Sequence, residues 1–323
     1  MALPRDRALL VKAARMYYEE ELSQDQIAAE IGVSRSNVSR MLTDARSQGI
    51  VQIKIVEHAM RDSILEARLL EILPIKHIRV ARNIDGIDET AAVGMLAAEA
   101  LSERLKPNAT VAISWGTTLQ AMVNALEPEY LPGVKLVPMV GGMTALSSSS
   151  SGDDLIRVMA TKLSATYQNV LAPAVVSSAE VRNAFIAEPT VQAVLETAAE
   201  ADIAVVGIGS ARSSSTMELL HGAGLPESTH NSLLHEMAGD IAARFYNIDG
   251  QEVDHGWNDR IIGVGLAQLR RIPFVIGAAA GSAKATAVIG AIHGGLINEA
   301  VISSSTALAI VRHVDAIEGA QAS

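Results

Sequence analysis

LSQDQIAAEIGVSRSNVSRMLTDARSQGIVQIKI, residues 22–55, is the stretch whose reading decides what the N-terminal part of the chain is. Ser23 precedes a short amphipathic run, residues 24–30, with Gln26 at the reciprocal capping position, so a helix starts there. Gly32 breaks it. Ser34 caps the next helix, in which Val38, Met41, Leu42 and Ala45 recur at i, i+3, i+4 and i+7, and Gly49 stands just past its end. Two helices joined by so tight a turn predict a helix-turn-helix with residues 34–48 as the recognition helix. Val51, Ile53 and Ile55 alternate with polar residues, which predicts a strand closing a winged module. Upstream, residues 8–18 place Leu9, Leu10, Ala13, Ala14, Tyr17 and Tyr18 on one helical face.

Groove reading needs a helix with one apolar face for docking and short polar or arginine side chains on the other. The outward set here is Arg35, Ser36, Ser39, Arg40, Thr43 and Arg46, with Ser34 and Asn37 in the first turn. Arginine can pair with guanine O6 and N7, asparagine with adenine N6 and N7, and serine or threonine with phosphate. Ser23 and Gln24, at the start of the preceding helix, suit phosphate contacts. An ordinary polar helix would share much of this pattern; the unopposed arginines and the tight turn favour double-stranded DNA as the partner.

Charge qualifies that reading. The 323 residues carry a net −10, which opposes a nucleic-acid partner. Residues 1–55, however, hold eight Lys and Arg against seven Asp and Glu, and the remainder eighteen against twenty-nine. Contact with DNA is therefore confined to the small N-terminal part, and two half-sites read by a homodimer or homotetramer would supply the specificity one module lacks. The length predicts two domains, 1–55 and 56–323. Apolar residues make up 49% and aromatic ones 3%, so the core is built from aliphatic side chains. There is no cysteine, no early uncharged apolar run, and no stretch reaching the roughly 18 apolar residues of a membrane span. The expectation is a soluble, cytoplasmic protein without a membrane partner.

Beyond residue 56 short apolar runs at 78–80, 110–114, 134–140, 203–208, 274–277 and 300–303 alternate with helical stretches such as 90–105 and 118–126. That texture predicts an α/β fold with a Rossmann-like, largely parallel sheet whose ligand sits beyond the carboxyl ends of the strands. The five-serine run at 147–151 reads as a loop. A helix over residues 59–73 carries Ile64, Leu65, Leu69, Ile72 and Leu73, which suit either subunit pairing or packing on the chain's own body.

Trp115-Gly116-Thr117-Thr118 follows a strand and opens a helix. Free amides at a positive helix end, with threonine hydroxyls beside them, suit phosphate, although threonine is also an ordinary cap. Gly142, after Val140-Gly141, likewise ends a strand where backbone could approach a ligand, as do Gly207 and Gly209. Lys284 falls in the first turn after residues 277–281, a place where a cation is disfavoured unless an anionic ligand or an aspartate faces it. The eight histidines have no metal-ligand spacing, and neither metal nor cofactor is expected.

With these residues in view, the sequence resembles the SorC family of sugar-responsive bacterial regulators, often grouped with DeoR. The carriers are residues 22–55, then ISWGTTL at 113–119, ADIAVVGIGS at 201–210, GDIAARFYNIDG at 239–250 and GSAKATAVIGAIHGGLINEAVIS at 281–303. The resemblance implies a winged helix-turn-helix followed by an effector domain resembling sugar-phosphate isomerases, assembled as dimers or tetramers. It implies a sequence-specific regulator of a carbohydrate or polyol catabolic operon, controlled by a sugar, polyol or sugar phosphate. It also implies that Gly116, Thr117 and Thr118 grip the effector's phosphate, that Asp240 binds hydroxyls and that Lys284 is a ligand lysine. An aspartate after glycine is otherwise an ordinary turn residue. Asn258 and Arg260 are further candidate contacts, with an Asp259–Arg260 salt bridge as the alternative.

A rival class is a sugar-phosphate isomerase-like enzyme fused to a DNA-binding head. Isomerisation needs a carboxylate base and a group to stabilise the enediolate. Asp249-Gly250 continues as Gln251-Glu252-Val253, which breaks the acidic DGADE-type segment of ribose-5-phosphate isomerases. The expectation is a binding protein, not an enzyme.

Overall fold

The computed structural model describes residues 7–20, 22–51, 61–142, 152–211 and 213–321. Two compact units divide the chain, Met1–Glu57 and His58–Ser323.

The first unit consists of α1 (Arg7–Tyr18), α2 (Gln24–Ile31) and α3 (Arg35–Ser47). The caps act as the sequence dictates: the Ser23 hydroxyl accepts from Gln26 N while the Gln26 side chain accepts from Ser23 N, so two orphan amides are satisfied reciprocally. Gly32 adopts φ 75° with its N–H on Ala28 O, a left-handed turn that glycine enters without steric cost. Leu10, Ala13, Ala14, Ile27, Val38, Met41, Leu42 and Ala45 close one small core. In α1 the buried face includes Met16, whose carbonyl accepts from Leu22 N as the chain turns back; Tyr17 and Tyr18 are exposed instead, packed edge to face at 4.9 Å. The strand expected over residues 51–55 lies, after Val51, outside the described residues, as does the serine run.

The second unit opens with α4 (Ser63–Ile72), β1 (His77–Ala81), α5 (Glu89–Ser102), β2 (Thr110–Ile113), α6 (Thr117–Ala125) and β3 (Lys135–Pro138). It continues through α7 (Gly152–Leu163), β4 (Thr166–Tyr167), α8 (Ala179–Ala187), α9 (Pro189–Ala199), β5 (Ile203–Gly207), β6 (Gly209–Ser210), α10 (Ser214–Gly222) and α11 (Glu227–Glu236). It ends with β7 (Gly239–Ile241), β8 (Arg244–Tyr246), α12 (Leu266–Leu269), β9 (Phe274–Ala279), α13 (Ala285–His293), β10 (Glu299–Ser303) and α14 (Ser304–Gln321). The principal sheet has seven strands in the order β1-β10-β9-β5-β2-β3-β4, all parallel. Alternate strand residues belong to different cores. Ile78, Val80, Ala112, Ala204, Val206 and Ile302 join the cluster with Leu69, Ala198 and Ile289; Val111, Ile113, Ile203, Val205, Ile276 and Val301 join the one with Leu96, Leu119 and Met159. Both faces are covered, which is why the strands read as continuous apolar runs.

β1 is an edge strand, and the chain covers it on entry. Val80 N donates to Glu66 Oε1 at 2.9 Å, Val80 O accepts from Asp62 N at 2.9 Å, and Arg61 forms an antiparallel bridge with Ala81. α4 packs on its own body through Leu69 and Leu73 and leaves Ile64 exposed.

A second, antiparallel sheet β6-β7-β8 rises beyond the carboxyl end of β5. Its β7–β8 hairpin turns on Ala242 and Ala243, both at positive φ, 50° and 64°. A two-residue turn of that hand normally takes Asn-Gly, and alanine there costs about 1–2 kcal/mol per residue. Trp257, fully buried and stacked on Phe245 at 5.2 Å, fixes the turn by donating Nε1–H to Ala243 O at 2.7 Å.

Candidate functional site

On α3 the apolar face is sealed and the opposite face is free for a groove. Arg35, Ser36, Ser39, Arg40, Thr43 and Arg46 are exposed, together with the cap Ser34. The Ser34 hydroxyl accepts from Asn37 N at 3.3 Å and lies 3.0 Å from Ser36 Oγ; Asn37 is half-buried. Arg35 lies 3.9 Å from Asp25, a solvent-exposed pair that water screens and that a phosphate can displace. Ser23 is exposed and Gln24 half-buried at the start of α2.

In the second unit the sheet order defines a crevice. β2 leads to β3 on one side and β5 leads to β9 on the other, so the border between β2 and β5 is the switch point where parallel sheets bind ligands. The loops after these strands touch: the Ser114 hydroxyl accepts from Gly207 N at 3.1 Å, and a Cβ on Gly207 would lie 3.0 Å from Trp115 O. Gly116 takes φ 139° as the residue before α6, makes no side-chain cap, and would direct a Cβ into open space. Among the described residues the first amides of α6, at Thr117 and Thr118, have no side-chain cap.

Asp240 is not a turn residue. It is the middle of β7, paired with Gly209 across the small sheet, and accepts from Thr216 Oγ1 at 2.6 Å, with Ser213 Oγ another 2.6 Å on. Burial pushes its carboxyl above the usual range, against the Thr216 hydrogen bond and the Lys284 charge, which pull it down. Lys284 ends a 3₁₀ turn, Ser282–Lys284, after β9; burial lowers its ammonium pKa and Asp240 raises it. Among the described residues the two feel one another's charge without closing an ion pair. Ser210 Oγ, on β6, is buried and has no hydrogen-bond partner; because Gly209 is the residue that pairs with Asp240, the Ser210 side chain lies on the other face of the small sheet.

The remaining candidates are already engaged. Gly142 spends its N–H on Ala172 O and its C=O on Ala174 N, so it offers a ligand no main-chain group. The Arg260 guanidinium donates to Val176 O at 2.7 Å and Ala223 O at 2.6 Å, rather than to Asp259. Asn258 donates its amide to Glu252 at 2.6 Å, leaving a buried Oδ1 unpaired. Sequence reasoning missed Thr216 and Ser213. The cue was available in the run GSARSSSTMEL at 209–219, too rich in hydroxyls for a plain connection directly after a strand. Two hollows lie elsewhere: one of about 430 Å³ against Arg182, Gln192 and Gly263, and one of about 550 Å³ at the opposite end of the sheet against Arg104, Asn108 and Phe274. Neither is lined by Asp240, Lys284 or the first turn of α6.

Comparison with known proteins agrees with this layout. The family model of a putative sugar-binding domain matches residues 57–312, and that of sigma-70 region 4 matches residues 4–48. The sorbitol operon regulator of Klebsiella pneumoniae is 31% identical over 309 residues, 94% of this chain and 97% of that protein. The deoxyribonucleoside regulator of Bacillus subtilis (strain 168) is 31% identical over 311 residues, 94% and 97%. Among solved structures, the full-length sorbitol operon regulator SorC from Klebsiella pneumoniae shares 30% identity with a TM-score of 0.75, covering 95% of this chain and all 100% of its own. The probable sor operon regulator from Shigella flexneri shares 27% with a TM-score of 0.70, covering 77% and 98%.

Proposed function

The chain belongs to the putative sugar-binding domain family of SorC- and DeoR-type transcriptional regulators, and on that premise we propose which effector chemistry it senses and with which residues. Its relatives are regulators and not enzymes, so the isomerase-like reading is set aside. The effector is a phosphorylated sugar or polyol. Its phosphate sits on the Thr117 and Thr118 amides, its hydroxyls donate to Asp240, and Lys284 supplies the cation. The observation that carries this is the juxtaposition of Asp240 with Lys284: a buried carboxyl and a half-buried ammonium from separate elements, coupled by charge yet left without an ion pair. Leaving such groups unpaired costs stability that only an occupant repays. Gly142, Asn258 and Arg260 shape the wall.

At the other end, Arg35, Asn37 and Arg40 read base edges, while Ser23, Gln24, Ser34, Ser36, Ser39, Thr43 and Arg46 anchor to phosphate, in a homodimer or homotetramer. The effector binds two conformations unequally and so alters operator affinity, with the reciprocal effect on its own binding. The test is a thermal-shift panel of sorbitol 6-phosphate, ribose 5-phosphate and glucose 6-phosphate against their unphosphorylated forms. The phosphorylated compounds are expected to stabilise the chain and Lys284→Ala to abolish the shift; equal shifts in that variant overturn the site. Operator duplexes selected by the chain from random DNA test the head: Arg35→Ala and Arg40→Ala should each weaken binding by about 10- to 100-fold.

A further inference from the structure

Four consecutive hydroxyls, Ser303 to Thr306, span the last residue of β10 and the first turn of α14, and most of them reach outward. Ser303 Oγ accepts from Gly281 N at 3.1 Å, and Thr306 Oγ1 donates to Gly281 O at 2.9 Å, so both main-chain groups of Gly281 are held. The same carbonyl accepts from Lys284 N at 3.0 Å, which makes this the turn that presents Lys284. Ser305 Oγ donates to Glu89 at 2.6 Å, at the start of α5. Ser304 Oγ donates to Ala81 O at 2.8 Å. An N-terminal turn ordinarily spends its hydroxyls on its own amides; here one internal bond of that kind is seen, from Thr306 N to Ser303 Oγ at 3.3 Å.

Ala81 is also where the chain entering the second unit is fastened. Arg61 bridges it, and Arg61 Nε and Nη2 both donate to Glu66 at 2.8 Å. Glu66 is 7% exposed and takes Val80 N as a third donor. A carboxylate buried this way needs its guanidinium, so Arg61 is held in one place. A run of contacts therefore connects the Lys284 turn to the chain at residue 61: Lys284 N to Gly281 O, Gly281 to Ser303 and Thr306, Ser304 to Ala81 O, and the pairing of Ala81 with Arg61, held by Asp62 N on Val80 O.

We propose that Ser304, with Ser303 and Thr306 on one side and the Arg61–Glu66 pair on the other, is a positioning residue that transmits the state of the Lys284 turn to the segment entering the body at residue 61. The first turn of α14 is the element both ends bias. A displacement of Gly281 on anion binding cannot be absorbed locally, because its N–H and C=O are bonded to that turn. The inference rests on Lys284 as an effector ligand, and its test is independent of any effector.

The test is a cycle of stability measurements on the full chain. Thr306→Val removes the donor to Gly281 while keeping volume, and Glu66→Gln removes the charge that orders Arg61 while keeping an acceptor for Val80. The expected result is that the unfolding constant of the double variant departs from the product of the singles by about threefold or more, and that the departure vanishes when Ser304→Ala is added. Independent structural roles would give additive effects in both backgrounds. Additivity with Ser304 present, or the same departure without it, overturns the relay. If Thr306→Val does not fold, Ser303→Ala takes its place. As a second readout, Ser304→Ala should keep the wild-type thermal shift with ribose 5-phosphate or sorbitol 6-phosphate and lose the change in operator affinity. An unaltered chain that no sugar phosphate stabilises counts against the proposed effector, and the cycle then decides the relay alone.

Discussion

At the end of the sheet where β10 begins, Glu299 lies between Arg79 and Arg104, and Arg79 reaches on to Glu103. At the other end Asp240 is buried and Lys284 half-buried, yet they stop short of one another. The difference is one of purpose written in desolvation energy. Charges that have only to hold the fold are paired, with Glu299 1% exposed and Arg79 7% exposed. In the proposed site the two charges are instead kept apart, Asp240 on β7 and Lys284 at the end of a 3₁₀ turn. Burial alone does not mark a site; a buried acid kept apart from its nearest opposite charge is the stronger cue.

The contrast is broken most severely at the paired end. Glu299→Ala leaves two guanidiniums facing a dry void and should cost about 3–5 kcal/mol in denaturant unfolding, with the sugar-phosphate response of the folded fraction intact. A loss below 1 kcal/mol would mean that the network is ornamental. Next is Gly209→Ala: the added Cβ would lie 1.8 Å from Asp240 Oδ1 and 2.9 Å from Thr216 Oγ1. It should cost about 1–3 kcal/mol and abolish the thermal shift with sugar phosphates, whereas a normal shift would separate Asp240 from the site.

Asp240→Asn should act in the opposite direction on stability. The folded carboxyl has its pKa raised by burial, so in the window from the ordinary aspartate range up to that raised value the folded chain holds a proton the unfolded chain has lost. Stability therefore falls as pH rises through that window. The asparagine variant should flatten this part of the pH–stability profile, match or exceed the parent at neutral pH, and lose the effector response; an unchanged slope refutes the assignment. Smallest is Ser210→Ala, expected to stay within about 1 kcal/mol of the parent because no hydrogen bond is lost, and to leave the sugar-phosphate shift unchanged because the side chain lies on the face away from Asp240.

The helix-turn-helix was legible because its signals are local: the Ser23–Gln26 box, Gly32 and the Ser34 cap act within a few residues of where they are written. The parallel strands were legible because two-sided burial leaves uninterrupted aliphatic runs. The β6-β7-β8 sheet was not. Its strands have two or three residues, and its hairpin turns on Ala242-Ala243, which carries none of the usual glycine or asparagine cue and is imposed by Trp257 and the surrounding core. For the same reason Asp240 reads as a turn residue in the sequence, while Thr216, distant in sequence, supplies its partner. Tyr17 and Tyr18 fit the apolar period of α1 but reach its end, where Met16 is covered instead.

The cover on β1 also bears on how the two units can be separated by cutting. Val80 would otherwise present an N–H and a carbonyl outward from a hydrophobic edge strand, and Asp62 and Glu66 take both. An unpaired edge of that kind is a template for strand addition between molecules. A body cut before Arg61 keeps its guard and should remain dispersed, whereas one cut a few residues later, beyond Glu66, exposes the edge and should polymerise through it. The entering segment is thus a chaperone built into the chain, shielding the first strand of the sheet against its own copies.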